Sequence, residues 1–217
     1  MIDPLIETHI NALAKSGWCV TPGFLDEAET AKLRAACQAA QADGKFHAAG
    51  VGSGTAQVVS EIRGDYISWI DDSVVSHAPG NSPGVPESQD ALQPALQSVF
   101  QRLEALRQAV NQTLYLGLFD VELHFAAYPP GAGYQRHLDR FRDDDRRILT
   151  VILYLNPPDW RKEDGGALHF WAEENSPPLE IPPLGGTLVT FLSSQFWHQV
   201  MPTQRERFSL TGWFRRR

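Results

Sequence analysis

The chain has 217 residues, 42% of them hydrophobic, with six tryptophans, enough for one domain with a sizeable core and too apolar for a chain disordered throughout. A net charge of -7 and a pI near 5.5 argue against a nucleic-acid partner, because an acidic surface repels phosphate. No apolar run reaches the roughly 18 residues of a membrane span, Met1 to Lys15 lacks the apolar centre of a signal peptide, and Cys19 and Cys37 show neither metal nor disulfide spacing, so no membrane and a reducing, cytoplasmic setting are expected.

Leu5, Ile6, Ile10 and Leu13 recur at helical spacing, and Gly17 ends that helix. Trp18 to Thr21 reads as a strand, and a second helix runs from about Asp26 through Ala42. The pattern turns strand-like between Val58 and Ile70. Asp72 to Ser88 mixes Gly and Pro with Ser and Asn, and is expected to be a loop that could serve as a lid. A third helix, about Gln89 to Leu116, carries Leu92, Leu96, Phe100, Leu103, Leu106 and Val110 on one face. After Gly117, short runs of Val, Ile, Leu, Phe and Tyr alternate with turn residues. Strands are expected near 119–128, 134–139, 147–155, 167–172, 187–192, 196–201 and 206–214. That spacing predicts a sandwich or jelly roll, mainly β, with the N-terminal helices bracing one sheet. The whole chain, 1–217, is expected to be a single catalytic domain, with helical support and a substrate loop in 1–117 and the β core in 118–217.

His137-Leu138-Asp139 falls on one of the expected strands, where residues i and i+2 share a face. His198, on a later strand, is the candidate third ligand. Two imidazoles and one carboxylate leave open positions on a metal, as ferrous oxygenases require. One His-x-acid pair is expected by chance in a chain with seven histidines, so the spacing alone is weak. Structural zinc fits poorly, since no cysteine lies in this half. Arg207 adds to the pattern. It stands nine residues after His198, with Ser209 on its face, and a fixed guanidinium in an apolar barrel suits a dicarboxylate tail. The bland alternative is a solvated edge charge.

The stretch Tyr128-Pro129-Pro130-Gly131-Ala132-Gly133-Tyr134-Gln135-Arg136-His137-Leu138-Asp139 resembles the prolyl 4-hydroxylase branch of the 2-oxoglutarate/Fe(II) oxygenases. So do Tyr154-Leu155-Asn156, Gly165-Gly166-Ala167-Leu168 and Pro202 through Trp213. The resemblance is nearest to the hypoxia-inducible-factor (EGL-nine type) hydroxylases and their bacterial relatives. It implies a double-stranded β-helix, a distorted, cupin-like jelly roll, with Fe(II), 2-oxoglutarate and O2 as cofactors and ascorbate as a stimulant. It places the metal on His137, Asp139 and His198. Co-substrate binding would fall to Arg207, Tyr154 and Tyr128, with Thr150, Ser209 and Thr211 in the same pocket and Trp213 on its wall. Arg63, Asp65 and Trp69 match a segment leading into a loop that closes over a peptide substrate. There the aspartate ties the loop base to an arginine, matched by Arg147.

The partner implied is a protein or peptide with a target proline, elongation factor Tu being one target of bacterial relatives. A hydroxylase of a free amino acid or small metabolite is the rival within the same chemistry. A non-catalytic, cupin-like sensor is the rival from another class. His124 shares a face with Tyr128 and could line the pocket or be a hydrogen-bonded core histidine. Tyr134 reads as a core aromatic or a substrate contact, and His169 as an unlikely ligand.

Overall fold

A computed structural model describes residues 3–50, 59, 61–70, 87–139 and 145–217, without the side chains of 87–93. Helix α1 (Pro4–Ser16) starts where Asp3 accepts a hydrogen bond from the Leu5 backbone N–H, with Pro4 in its first turn. It ends at Gly17, whose φ of 76° only glycine adopts without strain and whose N–H returns to the Leu13 carbonyl. Helix α2 (Glu27–Ala42) opens with a reciprocal capping box between Asp26 and Glu29. Helix α3 (Glu87–Leu114) buries Leu96, Val99, Leu103, Leu106 and Val110. Most of the expected 72–88 loop lies outside the described residues, and its last two positions already belong to α3.

Strands β1 (Trp18–Thr21), β2 (His47–Ala48), β3 (Tyr66–Trp69), β4 (Asp120–Tyr128), β6 (Arg147–Tyr154), β9 (Leu188–Leu192) and β11 (Arg207–Arg215) form a seven-stranded sheet in the order β1-β9-β6-β11-β4-β3-β2. Strands β5 (Tyr134–His137), β7 (Leu168–Phe170), β8 (Leu179–Ile181) and β10 (His198–Val200) form a smaller sheet in the order β5-β10-β7-β8. Every pairing is antiparallel. The two sheets make the double-stranded β-helix, and the seven strands expected after Gly117 all form. Sequence pattern missed β2 and β8. It also carried strand β5 as far as Asp139, whereas the strand ends at His137 and Asp139 stands on a bend.

Alternation along the long central strands sorts two cores. Leu123, Phe125 and Ala127, Leu149, Val151 and Leu153, and Phe208, Leu210 and Phe214 face the helices. Ala126 and Tyr128, and Ile152 and Tyr154, face the smaller sheet, where Leu168, Phe170 and Val200 meet them. Among the described residues no helix is long and apolar enough to cross a membrane.

Candidate active site

Antiparallel register brings distant residues together. His198 on β10 lies directly opposite His137 on β5. Past the end of β5 the bend turns Asp139 back, so that its two carboxylate oxygens lie 3.6 Å from His137 Nε2 and 3.6 Å from His198 Nε2. Among the described residues these three form the one group of His, Cys, Asp and Glu with metal-ligand spacing, their donor atoms all within 4.8 Å. His169, on β7, packs edge-on against Trp171 and is outside the group.

The protonation pattern suits a cation. His137 Nδ1 donates to the Gln135 carbonyl at 2.7 Å, and His198 Nδ1 donates to the Phe196 carbonyl at 3.1 Å. Each imidazole therefore turns its Nε2 toward the centre. Burial, aided by His198, lowers the His137 pKa and favours its neutral ring. Burial alone would raise the Asp139 carboxyl, but His198 and His137 hold it well below the usual carboxylate range. Two imidazole nitrogens and one carboxylate on one side of a centre fit ferrous iron with open positions.

Two supports were not legible in the sequence. Thr150, expected in the co-substrate pocket, instead sits behind the metal group: its hydroxyl donates to Asp139 Oδ2 at 2.8 Å and lies 3.0 Å from Ser193 Oγ. Tyr134 stacks on His137 with ring centroids 3.5 Å apart, and the Arg63 guanidinium lies 4.8 Å from the centre of the Tyr134 ring. Arg63 also grips Asp65 through two hydrogen bonds, of 2.7 and 3.0 Å. The expected tie from Asp65 to Arg147 is thus replaced. Arg63 is the nearer cation, while Arg147 bonds Glu122 at 2.7 Å and lies 3.5 Å over the Trp213 ring.

Next to the metal group opens a cleft walled by both polar and apolar side chains. Arg63, Asp65, Tyr128, Ser209, Thr211 and Trp213 line it together with His137, Asp139 and His198. Its deep end holds Arg207, 1% exposed. Arg207 Nε donates to the Gly166 carbonyl at 2.9 Å, and the guanidinium lies 4.9 Å from the Tyr128 ring and 5.1 Å from the Tyr154 ring. The buried Tyr154 hydroxyl has no hydrogen-bond partner, and burial raises its pKa, keeping it a donor. A buried cation without a paired carboxylate, beside an orphaned hydroxyl, is what the carboxylate tail of 2-oxoglutarate would complete. Ile152, Leu168 and Val200 supply apolar walls. Trp69 stands at the rim, against His124 and Trp213.

Comparison with known proteins agrees with this geometry. A profile of the 2OG-Fe(II) oxygenase superfamily matches residues 123–215. The chain is similar to a Pseudomonas putida prolyl-4-hydroxylase of known structure, with 40% identity, 98% of this chain and 99% of that one covered, and a TM-score of 0.78. It is 30% identical to human prolyl hydroxylase EGLN3 over 217 residues, covering 96% of this chain and 82% of that protein. It is 28% identical to human Egl nine homolog 1, covering 96% of this chain and 46% of that protein, so it spans about half the length of the first curated relatives. With the metal group, the buried arginine and this likeness in hand, the chain belongs to the 2OG-Fe(II) oxygenase superfamily, within the family of the EGLN prolyl hydroxylases.

Proposed function

We propose that the protein hydroxylates a prolyl residue within a protein, using Fe(II), 2-oxoglutarate and O2, and that elongation factor Tu is the first substrate to try. One observation carries this reading: the open His137-Asp139-His198 group shares a single cleft with Arg207, which has no carboxylate partner among the described residues. His137, Asp139 and His198 would hold the iron, and Arg207 with Tyr154 the far carboxylate of 2-oxoglutarate. When bound, iron and co-substrate supply the oxidant that replaces a C–H bond by C–OH. The chain's own residues orient and exclude. Thr150 fixes the Asp139 carboxylate, Tyr134 and the Arg63–Asp65 pair brace the His137 ring, and Ile152, Leu168 and Val200 keep water from the centre.

A polypeptide substrate is favoured over a small metabolite by the cleft's rim. Trp69 on β3, on the cleft side of the strand, is 46% exposed and packs against His124 and Trp213, an apolar edge suited to an extended chain. A prolyl hydroxylase from Trichoplax adhaerens, 26% identical and of the same fold, has been seen with a peptide fragment bound. Two buried free thiols, Cys19 and Cys37, suit a reducing compartment, and we place the protein in the cytoplasm.

The test is succinate formation from 2-oxoglutarate with Fe(II), by wild type and His137→Ala, with elongation factor Tu, with proline-containing peptides and with free amino acids. Turnover that needs His137, rises with the protein substrate and adds one oxygen atom at a proline supports the reading. Stimulation by free amino acids alone would transfer it to a small metabolite, and no iron-dependent turnover would leave a non-catalytic binding protein.

A further inference from the structure

Among the described residues, four buried side-chain polar atoms have no hydrogen-bond partner: Tyr154 Oη, Trp213 Nε1 and both ring nitrogens of His124. The co-substrate tail accounts for the first. The other three sit together on two neighbouring rings of the cleft, 5.5 Å apart. His124 is 1% exposed and lines the cleft. Burial, reinforced by the Arg63 and Arg147 cations, holds its pKa at about 3. At neutral pH it therefore offers one N–H donor and one bare nitrogen.

Register locates it within the cleft. Arg207 faces Tyr128 across the β4–β11 pair, and Thr211 faces His124 four residues along. At about 3.4 Å per residue the two rows stand roughly 13–14 Å apart. The two carboxyl carbons of 2-oxoglutarate are separated by four C–C bonds of about 1.5 Å each, so a co-substrate anchored at Arg207 stops short of His124. The His124 row thus lies on the mouth side, where a second substrate enters. The His124 ring lies 4.8 Å from that of Trp69 and 5.5 Å from that of Trp213, and Trp69 and Trp213 are 6.4 Å apart. Three aromatic rings meet at a corner that carries two N–H donors.

A prolyl unit has the complementary chemistry. Its ring is apolar and packs on aromatic faces, its nitrogen carries no hydrogen, and its flanking carbonyls only accept. The geometry points to His124 as the residue that seats the target proline: its ring N–H, beside Trp213 Nε1–H, donates to a carbonyl flanking the target ring while the half-exposed Trp69 ring packs on that ring. This deepens the prolyl reading and rests on it.

The probe is N-acetyl-L-proline N-methylamide, titrated into the Fe(II)- and 2-oxoglutarate-loaded protein without oxygen and followed by tryptophan fluorescence. We compare wild type, His124→Phe and His124→Gln, and measure 2-oxoglutarate affinity in each. Loss of one neutral hydrogen bond is worth about tenfold. His124→Phe should weaken the probe by about that factor, His124→Gln should recover most of it, and 2-oxoglutarate should bind all three alike. Equal probe binding by all three proteins, or a change in 2-oxoglutarate affinity instead, overturns the assignment. So does a wild type that ignores the probe yet hydroxylates elongation factor Tu. If both probe binding and turnover on that protein are missing, the prolyl reading falls as well.

Discussion

At the scale of single residues, the site depends on side chains that never touch a substrate. Thr150 donates to Asp139 from a fully buried position. Thr150→Val keeps the shape and removes the donor, leaving the carboxylate free to rotate. Fe(II) affinity, measured by anaerobic titration, should fall ten- to a hundredfold, with Thr150→Ser close to wild type. Arg207 separates the two halves of the site. Arg207→Gln should leave metal affinity intact and raise the Kd for 2-oxoglutarate by about a hundredfold, since it removes charge-assisted bonds to a carboxylate. A loss of metal affinity in Arg207→Gln would show that the halves are not separable. The ligands and Arg207 were legible because they sit in a motif or on a strand with a suitable neighbour. The role of Thr150 was not, because it depends on a bend at Asp139 that no periodicity encodes.

At the scale of elements, the turn before β7 holds Arg207 in place. Gly166 has a φ of +70°, and a Cβ there would come within 2.9 Å of Arg207 Cδ and 3.3 Å of Thr203. Gly23 has a similar φ, +66°, with nothing within 4 Å of its virtual Cβ. The two glycines therefore separate strain from crowding. Gly23→Ala should cost about 1–2 kcal/mol of stability and leave 2-oxoglutarate binding unchanged. Gly166→Ala should cost at least as much and weaken 2-oxoglutarate as well, both read from melting curves with and without ligand. Equal effects on binding would remove the turn from the site. Apolar runs also explain which elements were legible. Strands β4, β6 and β11 are eight- or nine-residue stretches rich in Val, Ile, Leu, Phe and Tyr, buried over most of their length. Strand β8 is three residues between two Pro-Pro pairs, with two of them exposed, and β2 has only two residues, so neither makes such a run. The pairing of His137 with His198 joins residues far apart in the chain, and local pattern carries no information on such register.

For the molecule as a whole, buried neutral histidines predict how stability responds to acid. His9 on α1 lies between the Thr21 and Thr190 hydroxyls, at 2.6 and 2.7 Å, and ties the helix layer to β1 and β9. Burial lowers its pKa from 6.5 to about 4. Between those values the unfolded chain takes up a proton that the folded chain refuses, so stability is full above the unfolded pKa and is lost as pH falls toward 4. For His9 alone the loss by pH 5 is about 2 kcal/mol, and His124, held at about 3, adds in the same direction. The melting temperature should drop between pH 7 and pH 5, and His9→Gln should drop less. A pH-independent melt would contradict the burial of neutral rings.

Arg207 and Phe208 are neighbours in sequence, yet one serves the cleft and the other the helix layer. The same holds for Tyr154 and Leu153, and for Tyr128 and Ala127. Lineages can therefore exchange residues at these positions one at a time, but they cannot alter the length of the strands. A single inserted or deleted residue in β4, β6 or β11 would turn the arginine or its companions toward the helices and drive a phenylalanine or leucine into the cleft. A library of one-residue insertions along the chain, scored for soluble protein, should show these three strands as continuous forbidden blocks, with tolerance returning in the turns between them.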